Sequence, residues 1–163
     1  MSDWLDWLAH TPYAQWVDES WGWPIALTIH AFGTATAVGI MFIIGLRLVG
    51  LLRPIPYPAM GRLMPLVWIA VACQIISGLT LWMTKPALYL ADGMFEVKII
   101  LLVIAIVVTW QFQRHLMREA DAWQTKGRPS ARGRNLAIAA CLLWAAVTIG
   151  GRLTAYLGSL YPA

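Results

Sequence analysis

The chain has 163 residues, of which 60% are hydrophobic and 12% charged, with a net charge of +4. Soluble domains are about half apolar and a quarter charged, so this chain lacks the charged surface needed to cover a soluble globule. Its basic residues sit at the ends of apolar runs and form no exposed patch with interleaved aromatics, which argues against a nucleic-acid partner.

The chain opens MSDWLDWLAH, acidic and aromatic where a secretory signal would be basic and then apolar. No cleavage is expected, and the first span doubles as the targeting signal. Trp4, Leu5, Trp7 and Leu8 precede Thr11-Pro12, a cap and first-turn signal, and then Tyr13, Trp16 and Val17. Apolar residues three and four apart, heavy in Trp, predict an amphipathic helical segment lying in the membrane interface.

Crossing roughly 30 Å of hydrocarbon takes about 20 apolar residues. Four runs qualify, at about 24–49, 63–83, 95–116 and 135–157. The fold class is therefore all-α, a four-helix transmembrane bundle forming one integral membrane domain over 1–163, in contact with membrane lipids. Pro24 suits a first helical turn. Pro54, Pro56 and Pro58 cannot continue a helix and mark a tight connection, and Lys85-Pro86 ends the second span. Cys73 and Cys141 fall within apolar runs and make neither a disulfide framework nor a zinc spacing.

Basic residues near span ends are retained in the cytoplasm. Arg47, Arg53 and Arg62 flank the first connection, and Arg114, Arg118, Lys126, Arg128, Arg132 and Arg134 flank the third, nine of the twelve Lys and Arg. The N-terminal arm has none, so both termini are expected outside.

Ionisable groups in hydrocarbon cost at least about 2–3 kcal/mol each, which makes those inside spans the best functional leads. Three stand out: His30, Lys98 and Arg152. His30 lies about six residues, or roughly 9 Å, inside the outer end of the first span. Lys98 and Arg152 each lie about one turn from the outer ends of theirs. Thr34 follows His30 on the same face, while Thr148, Arg152 and Tyr156 form a stripe at i, i+4 and i+8. Gln74 and Ser77, with Gly78, give the second span a polar face. The counting predicts a polar pocket near the outer surface. Snorkelling to headgroups explains Lys98 and Arg152 equally well, whereas His30 cannot snorkel as easily. His115 sits in the basic sequence QFQRHLMRE, about 20 Å along the axis from His30, where a solvated or lipid-facing imidazole is expected. The arm's His10 is assigned no role.

The first span, TIHAFGTATAVGIMFIIGLRLVG, resembles the histidine, glycine, Arg-Leu order of membrane-integral protoporphyrinogen oxidases and copper-resistance D-like domains of bacteria. The second, GRLMPLVWIAVACQIISGLTLW, and the third, FEVKIILLVIAIVV, resemble the corresponding helices, with a lysine ahead of a leucine-rich run. The resemblance implies a multi-pass protein of the bacterial inner membrane with b-type haem at His30 and Lys98 as the matching lysine. The oxidases' further histidine toward the end of the third helix is missing here, where Thr109, Trp110 and Gln111 stand, and their fourth helix differs from TIGGRLTAYL.

Three functions fit this pattern. The first is haem-mediated electron transfer, exchanging electrons with quinone or a larger redox complex. His30 would ligate iron, Lys98 and Arg152 would pair with carboxylates, and Thr34 and Tyr156 would line the site. The second is copper handling, with His30 and the outer methionines Met83 and Met94 as soft-ion ligands. The third is a non-catalytic accessory subunit, packing into a homo-oligomer or a larger complex.

Overall fold

The computed structural model describes residues 3–154, and for residues 155–160 the course of the helix alone. In chain order the helices are α1 (Asp3–Ala9), α2 (Pro12–Glu19), α3 (Gly22–Leu48), α4 (Tyr57–Gly61), α5 (Met64–Thr84), α6 (Pro86–Ala91), α7 (Gly93–Lys126) and α8 (Ala131–Leu160). Strands are absent among the described residues. Four helical stretches, Gly22–Leu48, Tyr57–Thr84, Gly93–Lys126 and Ala131–Thr154, are long and apolar enough to cross a membrane.

Local signals place the boundaries. Thr11 accepts a hydrogen bond from the Ala14 amide (3.3 Å) with Pro12 in the first turn, so α2 starts there. Asp92 caps α7 by accepting from the Met94 amide (2.9 Å). Gly127, left-handed at φ 69°, stops α7. Ser130 accepts from the Gly133 amide (3.2 Å) and opens α8. The third helix thus runs ten residues past the expected end of its span at 116, and the fourth begins four residues before 135. Apolar length measures the hydrocarbon crossing, whereas a helix continues until a residue such as Gly127 breaks its backbone.

α3 packs against both α5 and α8, and α7 packs against α8, giving the spatial order α5, α3, α8, α7. The outer members of this arc, α5 and α7, are joined by Trp68 Nε1 donating to Gln113 Oε1 (2.5 Å) and by α4 lying against α7. The large core side chains gather in the arginine-rich half of the bundle. Met41, Ile44, Met60, Met64, Phe112, Leu116, Trp123 and Trp144 are all buried there. Trp144 Nε1 donates to Thr109 Oγ1 (3.0 Å), so neither polar atom is left unsatisfied. The opposite, Trp-rich half packs through small residues. At Gly33 an added Cβ would stand 2.9 Å from the Ala70 carbonyl oxygen and 3.3 Å from the Gln74 amide nitrogen. Two helix backbones meet there, as small residues allow in membranes.

The N-terminal arm is two helices rather than one, and it docks on the bundle. α2 packs on α3 and α5, with Ala14 and Val17 fully buried, and Tyr13 Oη lies 3.2 Å from Thr80 Oγ1. Trp4 stacks obliquely on Trp82, with ring centroids 6.5 Å apart. Asp18 pairs with Lys85 (3.4 Å), but both are largely exposed and such a pair contributes little. Burial first, and then the Asp18 carboxylate, push the Tyr89 phenol above its ordinary range. His10 Nδ1 donates to the Asp6 carbonyl (2.6 Å) and so caps the end of α1.

Because neither backbone at Gly33 can yield cheaply, Gly33→Val should cost about 1–3 kcal/mol through overpacking. Reversible unfolding in mixed detergent measures this, and Gly39→Val, where the added Cβ meets nothing within 4 Å, is the control expected to stay near wild type.

Candidate functional site

The close passage of α3 over α5 brings His30 onto the polar face of α5. His30 Nδ1 lies 3.1 Å from Ser77 Oγ. Ser77 already donates its hydroxyl proton to the Cys73 carbonyl (2.6 Å), with the Gln74 carbonyl at 3.3 Å as a second acceptor. A hydroxyl has one proton, so toward the ring Ser77 can only accept. Nδ1 therefore carries the ring proton in neutral His30, and Nε2 holds a lone pair. A metal-binding imidazole is prepared in this way, by a hydrogen bond at the nitrogen remote from the metal.

Gly78 completes the seat. An added Cβ there would come within 3.2 Å of Cε1 and 3.5 Å of Nδ1, so the ring lies flush against helix backbone. Gln74 is buried one turn away, and its Oε1 has no hydrogen-bond partner. Trp82 Nε1, further along α5, is likewise buried and unpartnered. Both orphaned groups lie on α5, on the Trp-rich side of its packed core, where polar atoms ordinarily find partners.

Lys98 reaches the same end of the bundle from α7. Its side chain runs across the glycine pair of α8, with Cε and Nζ each 3.4 Å from where a Gly151 Cβ would stand. Its ammonium is close enough to His30 for their charges to interact. Among the described residues no carboxylate pairs with it. Arg152 follows directly on α8 and is exposed. Thr34 donates to the His30 carbonyl (2.9 Å) and Thr148 to the Trp144 carbonyl (2.9 Å), so both hydroxyl protons are used within their own helices. Tyr156 lies outside the residues whose side chains are described. The structure thus brings His30 and Lys98 into one neighbourhood, while Arg152, next to Gly151 in the chain, is exposed.

His115 differs from the solvated ring that its basic surroundings suggest. Its side chain is 15% exposed, packs against Trp123 and bonds Ser130 Oγ through Nε2 (3.0 Å), with Glu119 at 3.4 Å. It ties α7 to the start of α8, because α7 continues beyond it and buries it under the α7–α8 turn.

Ser77, the residue that sets the tautomer, was visible only as part of a polar face. Its relation to His30 depends on the register of α3 on α5, which no spacing within one helix reveals. Among the described residues, no three His, Cys, Asp or Glu side chains gather to hold a metal ion. Neither a protein-family model, a curated protein nor a solved structure matches the chain. It is a multi-pass α-helical protein by its four apolar spans.

Ser77→Ala removes the hydroxyl that accepts from Nδ1. The Nε2–H tautomer of His30, minor in the wild type, should become substantially populated, as read from imidazole nitrogen chemical shifts in labelled protein.

Proposed function

We propose that the chain is a haem b-binding electron-transfer protein of the bacterial inner membrane, in which His30 would hold the iron through Nε2, exchanging electrons with quinone or a larger redox complex. The observation that carries this reading is the 3.1 Å contact of His30 Nδ1 with Ser77 Oγ, whose own proton goes to the Cys73 carbonyl, an arrangement that leaves Nε2 free to act as a ligand. When bound, b-type haem supplies one-electron transfer at a potential tuned by its surroundings. His30 is held against rotation by Ser77 and Gly78, which keeps Nε2 aimed along one direction. Lys98, a cation without a described carboxylate partner, and Arg152 serve as counter-charges to carboxylates, since such charge-assisted pairs are the strong ones. Thr34, one turn from His30 on α3, would border the site. The resemblance of the first three spans to haem-binding bacterial helices supports the same assignment. The opposite histidine, His115, is committed to Ser130 at the far end of α7 and takes no part.

The orientation belongs to this reading: both termini outside, with the arginine-rich end in the cytoplasm. A reporter active only outside the cytoplasm should then work when fused after residue 163 and stay silent in the 127–130 turn. The reverse pattern would overturn the orientation.

The purified protein should show a Soret band with sharp α bands on reduction. His30→Ala should abolish them, and His115→Ala should leave them intact. Bands that persist in the His30 variant would refute the assignment. A colourless protein that instead retains copper would favour the metal-handling alternative.

A further inference from the structure

At the arginine-rich end, away from His30, a half-open cavity of about 430 Å³ lies between the turn after α3 and the turn after α7. Three arginines line it, Arg47, Arg53 and Arg128, and none of its lining residues is acidic. We propose that this cavity binds the phosphate group of an anionic phospholipid.

Arg47 carries the argument. It is only 7% exposed, and among the described residues no carboxylate pairs with it. Of its five N–H groups, the one on Nε donates to the Ile55 carbonyl and one on Nη1 to Tyr57 Oη (3.1 Å). The guanidinium lies over the Tyr57 ring, 3.9 Å from its centroid. These contacts fix its position, and all of them go to neutral groups. A buried charge left in that state is costly, because neutral partners do not replace the solvation it has lost.

The helix ends nearby do not supply the missing charge. Arg53 Nε donates to the Gly50 carbonyl (3.2 Å), and the C-termini of α3 and α7 both adjoin the cavity. Each helix end contributes about half a negative charge. Three guanidiniums against two such ends leave roughly two positive charges, which suits one phosphate diester with charge to spare.

The rim selects among phosphate sources. Val49 and Leu51, in the same turn, are 47% and 71% exposed. Free phosphate has no use for such a border, whereas a lipid lays its acyl chains along it while its headgroup enters the basic cavity. The other basic hollow, beside Arg114, Arg118 and Arg132, measures about 250 Å³, and its arginines are all exposed. It lacks a buried, fixed cation and serves as the internal control.

The test uses the whole protein in detergent, with native mass spectrometry after addition of phosphatidylglycerol, phosphatidylcholine or inorganic phosphate. Wild type should retain phosphatidylglycerol at least about tenfold better than phosphatidylcholine, a ratio corresponding to 1.4 kcal/mol. Arg53→Gln combined with Arg128→Gln should remove most of that preference, while Arg118→Gln combined with Arg132→Gln should keep it. Arg47→Lys, which retains the charge but loses the planar fork, should weaken retention; because it touches the fold, its thermal unfolding is recorded alongside. Equal retention of the two lipids overturns the proposal. So does a preference that survives the Arg53 and Arg128 double variant but falls in the control pair. Inorganic phosphate displacing the lipid at equimolar concentration would assign the cavity to free phosphate and overturn the lipid reading.

Discussion

Everything at the Trp-rich end depends on how closely α3 passes α5. With glycine at position 33, the α3 backbone comes to van der Waals distance of the Ala70 carbonyl and the Gln74 amide. That approach, one turn from His30, sets the ring against Ser77 and Gly78 rather than in lipid. Any side chain at 33 would separate the helices, and the hydrogen bond at 3.1 Å would be lost with the contact. In hydrocarbon, helix pairs gain little from burying apolar groups because lipid tails are equally apolar, so close packing and interhelical hydrogen bonds decide the pairing. Here both operate at the same crossing.

The two halves of the bundle divide these tasks. The arginine-rich half is filled by large side chains, including Trp123 and Trp144, whose indole protons are taken by Glu119 (2.8 Å) and Thr109 (3.0 Å). Among the described residues, the Trp-rich half has small residues, two unpartnered buried polar atoms and a lysine without a counter-ion. A half packed to satisfaction holds the helices together, and the half left polar and incompletely paired is where a ligand has interactions to gain.

Much of this architecture is legible in the sequence. Runs of about 20 apolar residues are a property of composition, and the four spans emerge at the expected places. Their ends are less legible, because α7 is stopped by Gly127 and not by the loss of hydrophobicity at Arg114. Depth counting along separate helices puts His30 and Lys98 near one end, and the structure brings them within range of each other. What depth cannot supply is azimuth. Whether His30 faces α5, α8 or lipid depends on how the helices are rotated about their axes, and apolar residues cover every side of a membrane helix. The arm shows the same limit: its Trp-rich periodicity marks an amphipathic helix, while the buried Ala14 and Val17 that dock it are too small to stand out among the aromatics.

Arg47 shows why positional rules alone can conceal a site. As a basic residue at a span end it reads as a topology signal, indistinguishable from Arg53 or Arg62. A topology signal needs only to remain hydrated on one side of the membrane, and an exposed arginine does this without further help. Arg47 is instead withdrawn beneath the turn that follows α3 and held by Ile55 and Tyr57. Retention in the cytoplasm does not require that burial, and helix capping does not require three arginines around one cavity. A guanidinium fixed in place before any anion arrives has already lost its side-chain freedom, so little further ordering is needed when a phosphate approaches.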